Sequence, residues 1–381
     1  MFRLWRHWRD MRRFQSLPPE MRRIVFYSEG PAYWVHLEPI IWHLVQDHGR
    51  TVCYLSSQET DPGLAQNNPR ILPFCIGEGA MRTTLFRFLK AGVMVMTMPD
   101  LETFHIKRSI HPVHYVYVHH SIVSTHMTYR PSAFDHFDTV FCVGPHHTEE
   151  TRETEQVYGL PAKDLFKHGY GRLDAILEAA RVRPVQPRRK SGPLRVLVAP
   201  SWGPQALLET VGEQLVEALL DAGHEVTVRP HPQTRRLTPA VLDGLLARFR
   251  GHPLFRYEEN VASQDSLHAS DLMISDWSGA ALEYAFGLER PVLLVDVPRK
   301  LNNPEYEKLK AIPLEVRIRA EIGSVLPLDR IKDVAQWVER LVVDSAAVAE
   351  RIRAARCQWV YNLGHSGERG AERIVEICDR R

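Results

Sequence analysis

Residues 272–284 read Leu272-Met273-Ile274-Ser275-Asp276-Trp277-Ser278-Gly279-Ala280-Ala281-Leu282-Glu283-Tyr284. The apolar run Leu272-Met273-Ile274 predicts a strand. Asp276 and Ser278 are both helix N-cap types, and an apolar helical stretch follows them. A buried strand that turns directly into a capped helix is the repeating unit of a doubly wound α/β sheet. The first N–H groups of such a helix have no partner within it and sit at its positive dipole end, which suits an anion. Gly279 carries no side chain to keep a ligand from the backbone. Without a ligand, the same stretch is an ordinary capped turn.

The pattern repeats on both sides of this stretch. Strands are predicted at 194–199, 225–229 and 291–295, with helices at 204–222, 239–250 and 279–287. Upstream, strands are predicted at 23–27, 51–55, 93–97, 115–118 and 139–143. The first two flank an amphipathic stretch through Leu37, Ile40, Ile41, Leu44 and Val45. Alternating strands and helices predict parallel sheets covered on both faces. Residues 183–193 are rich in proline and charge and make the best linker. The expected organisation is a basic segment at 1–20, a first Rossmann-like domain at 21–182, the linker, and a second Rossmann-like domain with terminal helices at 194–381. Two such α/β domains facing a cleft describe the GT-B arrangement, with ligands outside the carboxyl ends of the strands.

Length and composition agree with this. A chain of 381 residues, 44% hydrophobic and 25% charged, has room for two cores. The formal net charge of +2 gives no polyanion signature, so nucleic acid is not an expected partner. Five scattered cysteines form no CxxC and suggest a reducing, cytoplasmic setting. No apolar run approaches the roughly 18 residues of a spanning helix.

Several other stretches carry candidate chemistry. Arg229-Pro230-His231-Pro232 follows the strand at 225–229. Two prolines stiffen the loop around one imidazole, which could add positive charge beside a diphosphate or move a proton. Pro200-Ser201-Trp202-Gly203-Pro204 follows another strand at the same sheet edge, where Ser201 could help enclose a donor. Glu283 lies one helical turn past the cap, placed to accept hydrogen bonds from ribose hydroxyls. In the first half, Tyr115-Val116-Tyr117-Val118 leads into His119-His120-Ser121. A histidine at that strand end could take a proton from an acceptor hydroxyl, and spacing does not say which of the two faces the cleft. His119, His120, His126, His146 and His147 match no zinc spacing, and the chain has no Asp-x-Asp pair, so no metal and no cofactor is expected. Gly169-Tyr170-Gly171-Arg172-Leu173-Asp174 is not GxGxxG. Its plain reading is a tight turn with an Arg172–Asp174 pair.

Residues 1–14 predict a basic amphipathic helix. Leu4, Trp8 and Met11 would share one face and Arg6, Arg9 and Arg13 another. Such a helix can lie on an anionic membrane surface or pack against the first domain.

Arg229–Pro232, Ser275–Ser278 with Glu283-Tyr284, and Gly169–Asp174 together resemble the CDP-glycerol glycerophosphotransferases, the teichoic-acid-type polyol-phosphate transferases. The resemblance spans roughly 115–300. It implies a GT-B-like fold, a CDP-polyol donor, a lipid-linked or glycan acceptor at the membrane, and peripheral attachment to its inner face. It implies His120 and His231 as the catalytic histidines. It also implies Ser275, Asp276, Ser278 and Glu283 around the donor; the residues themselves add Arg229, Gly279 and Ser201 there, with His119, Arg172 and Asp174 as further candidates. The family's His-Gly-Thr motif has His120-Ser121-Ile122 as its nearest counterpart here, without the glycine, and the Pro-Leu-Lys continuation is missing. That departure keeps a nucleotide-sugar glycosyltransferase or a UDP-sugar 2-epimerase as the alternative. A non-catalytic GT-B shell at the membrane is a third reading.

Overall fold

The structure, a computed structural model, describes residues 2–103, 106–183, 189, 191–260 and 263–380, with side chains from residue 5 onward. Most of the expected linker at 183–193 lies outside the described residues. Two parallel sheets organise the molecule. The first contains β1 (Ile24–Ser28), β2 (Val52–Ser56), β3 (Ile71–Cys75), β4 (Val93–Met96), β5 (His114–Val118), β6 (Thr139–Cys142) and β7 (Asp164–Lys167), in the order β3-β2-β1-β4-β5-β6-β7. The second contains β8 (Arg195–Val198), β9 (Glu225–Val228), β10 (Phe255–Tyr257), β11 (Leu272–Ser275), β12 (Val292–Val295) and β13 (Gly323–Leu326), in the order β10-β9-β8-β11-β12-β13. All pairings are parallel. Strand order reverses between β1 and β4 and again between β8 and β11, and those two points are where such sheets open a crevice. This is the α/β, GT-B architecture.

The central strands were legible because burial on both faces makes them apolar up to their last residue, as in Ile24–Ser28 and Leu272–Ser275. Four strands escaped the sequence reading: β3, β7, β10 and β13. They are the strands at the sheet edges, and β3 contains Pro73, a residue tolerated on an edge strand.

Helices cover both faces of the first sheet. The helix Trp34–Gln46 buries Leu37, Ile40, Ile41 and Leu44 against one face, beside the C-terminal helix Ser366–Asp379. The helix Phe2–Gln15 covers the opposite core. His7, Asp10, Met11 and Phe14 turn inward, spaced i, i+3, i+4 and i+7. Phe14 meets Phe74 edge to face at 5.4 Å, and the Asp10 carboxylate accepts from the Cys75 N–H at 3.1 Å. This corrects the expected grouping of Trp8 with Met11. Met11 joins the core, while Trp5 and Trp8 remain 59% and 50% exposed. The helix is rotated so that the line through Phe14 faces the core.

The two sheets are joined by the helix Gly171–Val182, which packs on the helix Gly279–Leu288. A Cβ on Gly287 would stand 2.4 Å from Ile176 Cγ2, so this crossing needs glycine.

Candidate functional site

The turn that opened the sequence reading has the expected form. Ser278 is the N-cap of the helix Gly279–Leu288, and its hydroxyl accepts from the Ala280 N–H at 3.3 Å. The side chains before it turn inward. Ser275 is fully buried and donates to the Ala199 carbonyl at 2.7 Å. Asp276 accepts from the Ser201 N–H at 2.6 Å, the Ser201 hydroxyl at 3.0 Å and the Leu207 N–H at 3.0 Å. Burial raises the Asp276 pKa against the pull of these donors. Ser275, Asp276 and Ser201, expected to line a donor, therefore brace the ends of β8 and β11 behind the surface. Trp277 is also turned in, donating to the Val297 carbonyl at 2.9 Å, with Arg319 over its ring at 4.2 Å. A cavity of about 530 Å³ opens beside it along Asp296, Val297, Arg299 and Arg319.

His231 caps the short helix Pro232–Leu237. Its Nδ1 accepts from the Gln233 N–H at 3.1 Å. An accepting Nδ1 puts the neutral ring's hydrogen on Nε2. Burial, with the Lys300 charge, lowers its pKa to about 4. At neutral pH His231 is thus an uncharged donor through Nε2–H, which favours proton transfer over added positive charge, the two roles expected of it. Lys300 supplies that charge. Its ammonium lies 3.7 Å from the centroid of Trp202, whose ring is 5.9 Å from that of His231. Burial lowers the Lys300 pKa to about 8, opposed by Asp276 and Glu209, and leaves it mostly protonated at pH 7. Lys300 escaped the sequence reading. It follows β12 in a loop with no motif, and only its place near a strand's carboxyl end could have flagged it. Arg229 is buried beside the charges of Arg172, Glu258 and Glu283, and desolvation lowers its pKa.

Across the junction, the two adjacent histidines separate. His119 is buried, with its ring 3.8 Å from that of His147, which in turn lies 4.0 Å from His146. Among the described residues no group of three His, Cys, Asp or Glu is arranged to hold a metal ion. His120 is only partly buried and faces Tyr33 and Tyr129. Its Nδ1 is 2.9 Å from the Thr97 carbonyl, which can only accept, so Nδ1 donates and Nε2 keeps its lone pair. The Tyr129 hydroxyl stands 3.4 Å from Nε2. Burial lowers the His120 pKa to about 4, and the Thr97 carbonyl opposes it. Glu29 sits at the end of β1 in the same crevice. Burial raises its pKa to about 7, offset by Arg82 and reinforced by Glu78 and Asp100. Glu29 too was missed, because the turn after β1 carries no distinctive spacing.

The two halves touch at the site. A Cβ on Gly279 would stand 3.2 Å from the Ser121 hydroxyl and 3.6 Å from Val123. The loop after His120 therefore lies against the start of the donor-side helix. Arg172 and Asp174 do not pair with each other as expected. Arg172 Nε donates to Glu283 at 2.7 Å, and the Tyr170 hydroxyl donates to the other Glu283 oxygen at 2.8 Å. The Glu283 charge raises the Arg172 pKa. Asp174 accepts from the Gly364 and Ser366 N–H groups at 2.6 and 3.0 Å and ties down the C-terminal helix, with burial raising its pKa.

Fold and crevice together define an α/β protein with the GT-B fold. No protein-family model and no curated protein sequence matches the chain. Among solved structures it is similar to the wall teichoic acid polymerase TagF, with a TM-score of 0.61 at 12% identity over 100% of this chain and 95% of that one. It is similar to a UDP-GlcNAc 2-epimerase of Methanocaldococcus jannaschii, with a TM-score of 0.56 at 16% identity over 94% of this chain and 99% of that one. A putative UDP-N-acetylglucosamine 2-epimerase from Listeria monocytogenes gives 0.58 at 13% identity over 91% and 94%. At these identities the likeness is one of fold.

Proposed function

We propose that the protein is a transferase that moves a polyol phosphate, glycerol phosphate first among the candidates, from a CDP-activated donor to a hydroxyl of a membrane-associated glycan or lipid, releasing CMP. The observation that carries this reading is a juxtaposition at one junction. His120, whose Nε2 lone pair meets the Tyr129 hydroxyl, leads into the Ser121 loop that lies against a capped helix start, and His231 and Lys300 stand together at a neighbouring strand end. His120 Nε2 takes the proton of the acceptor hydroxyl. The acceptor oxygen bonds to the β-phosphorus, and the bond from that phosphorus to the bridging oxygen breaks. CMP leaves with the bonding electrons. The N–H groups after Ser278, the His231 Nε2–H and the Lys300 ammonium stabilise the charge on the diphosphate. Phosphoryl transfer depends chiefly on such positioning and electrostatics. The cavity beside Trp277 offers room for the group carried by the diphosphate.

The similarity in fold to a wall teichoic acid polymerase supports this reading. The missing glycine after His120 and the fold shared with 2-epimerases favour the second one, in which a sugar carbon of a nucleotide sugar reacts. The helix Phe2–Gln15 would hold the protein at the inner face of an anionic membrane through Trp5 and Trp8, with Arg9 and Arg12 lying 5.4 and 5.5 Å from those rings. No described helix is long and apolar enough to cross a membrane. Calorimetric titration with CDP-glycerol, CDP-ribitol, CMP, UDP-sugars and UDP, repeated on Ser278→Ala, tests the donor assignment. A cytidine preference weakened by the substitution is expected. A uridine preference would move the assignment to the second reading.

A further inference from the structure

We propose that Tyr170 is a positioning residue that couples the donor half of the site to the acceptor half through its hydroxyl. The inference rests on the reading that Glu283 faces the donor nucleoside and His120 the acceptor.

The Tyr170 ring is almost fully buried, and its hydroxyl lies between two acceptors. One is a Glu283 carboxylate oxygen at 2.8 Å, and the other is the backbone carbonyl of His120 at 3.1 Å. A phenol has one hydrogen to donate. It serves the carboxylate, the stronger acceptor, and keeps the His120 carbonyl as a second partner within reach. Glu283 is in turn held by Arg172 Nε on its other oxygen. An ionised carboxylate offers about four lone-pair sites. Tyr170 and Arg172 occupy one on each oxygen, so one on each remains for the two vicinal hydroxyls of a ribose. When those hydroxyls donate to Glu283, the pull on the Tyr170 hydrogen weakens. The hydrogen then shifts toward the His120 carbonyl and draws that strand end toward the donor side.

The scaffold around this hydroxyl is rigid. The Tyr170 ring lies 5.4 Å from that of His36, and the following helix is locked onto the helix Gly279–Leu288 at Gly287. The response is therefore confined to a hydroxyl rotor and the His120 backbone, with no domain rotation required. Coupling of this kind is reciprocal: whatever orders His120 also favours Glu283 in its ribose-accepting state.

The test uses the full-length protein with labelled histidines and CMP as the probe, comparing wild type with Tyr170→Phe. The substitution removes one oxygen and keeps the ring. In wild type, saturating CMP is expected to shift the His120 ring resonances. In Tyr170→Phe, CMP is expected to bind within about tenfold of wild-type affinity, since the lost hydrogen bond is internal to the protein and of ordinary net strength, with the His120 shift reduced to less than half. In turnover assays kcat is expected to fall more than the donor KM rises, with thermal stability retained. An undiminished His120 shift in Tyr170→Phe would overturn the proposal, as would a wild-type His120 that ignores bound CMP. Absence of CMP binding to wild type would instead remove the donor-site reading, and the coupling with it.

Discussion

His119 and His120 are adjacent in sequence and opposite in surroundings, and this separates a core residue from a candidate base. Alternation along the strand end sends one ring into the His147 stack and the other to the crevice. The histidines at 119–120 and the arginine at 172 were legible as candidates from sequence. Their partners were not, because pairing between distant parts of the chain leaves no trace in local spacing. If His120 is the base, His120→Ala lowers kcat by about 10²–10⁴-fold with a modest change in donor KM; wild-type rates would remove the role. Lys300 makes a pH prediction. Its pKa, depressed to about 8, leaves it charged below that value and neutral above it. Activity is expected to decline as pH rises through about 8, and Lys300→Met should lower activity and abolish that alkaline limb. An unchanged limb in the variant would assign it to another group.

At the scale of elements, the N-terminal helix illustrates how packing decides what periodicity leaves open. Its sequence allowed both a membrane face and a packing face, and the structure builds the packing face from Asp10, Met11 and Phe14 while Trp5 and Trp8 stay outside. Removing the helix would strip the core over Phe74. Phe14→Ala is expected to cost about 3 kcal/mol, as for other fully buried phenylalanines, measured by denaturant unfolding. Trp5→Glu with Trp8→Glu is expected to leave stability within about 0.5 kcal/mol, as for surface changes, and to weaken sedimentation with anionic vesicles at least tenfold. Unchanged vesicle binding would contradict the membrane role of this face. The edge strands β3, β7, β10 and β13 were illegible for a related reason. Edge strands bury less, so their sequences alternate weakly and tolerate Pro73.

For the whole molecule, the α/β class followed from the buried central strands and their strand-to-helix turns, while the closeness of the two halves at Gly279 and Ser121 emerged only in three dimensions. The buried histidines give the molecule a pH signature. His36, His119, His146, His147 and His168 are all buried, and desolvation lowers the pKa of each. The unfolded chain therefore takes up protons first, and stability is lost as pH falls below about 6.5, at up to about 1.4 kcal/mol per pH unit per histidine. His126 runs the other way. Burial lowers its pKa, but Glu150 outweighs that and raises it, so its contribution is present below about 6.5 and fades as pH rises. Burial lowers His120, His224, His231 and His268 too, so nine lowered against one raised among the described histidines predict a fall in thermal stability between pH 7 and 5.5, partly offset by Glu29, whose pKa is raised to about 7; a flat or rising profile would contradict the buried, neutral assignment. Transfer at phosphorus is tested by product analysis after incubation with CDP-glycerol and membrane-derived acceptor. CMP is expected in equal amount to acceptor-bound glycerol phosphate, with loss of both in His120→Ala. Release of a nucleoside diphosphate from a nucleotide sugar, with CDP-glycerol left intact, would contradict it.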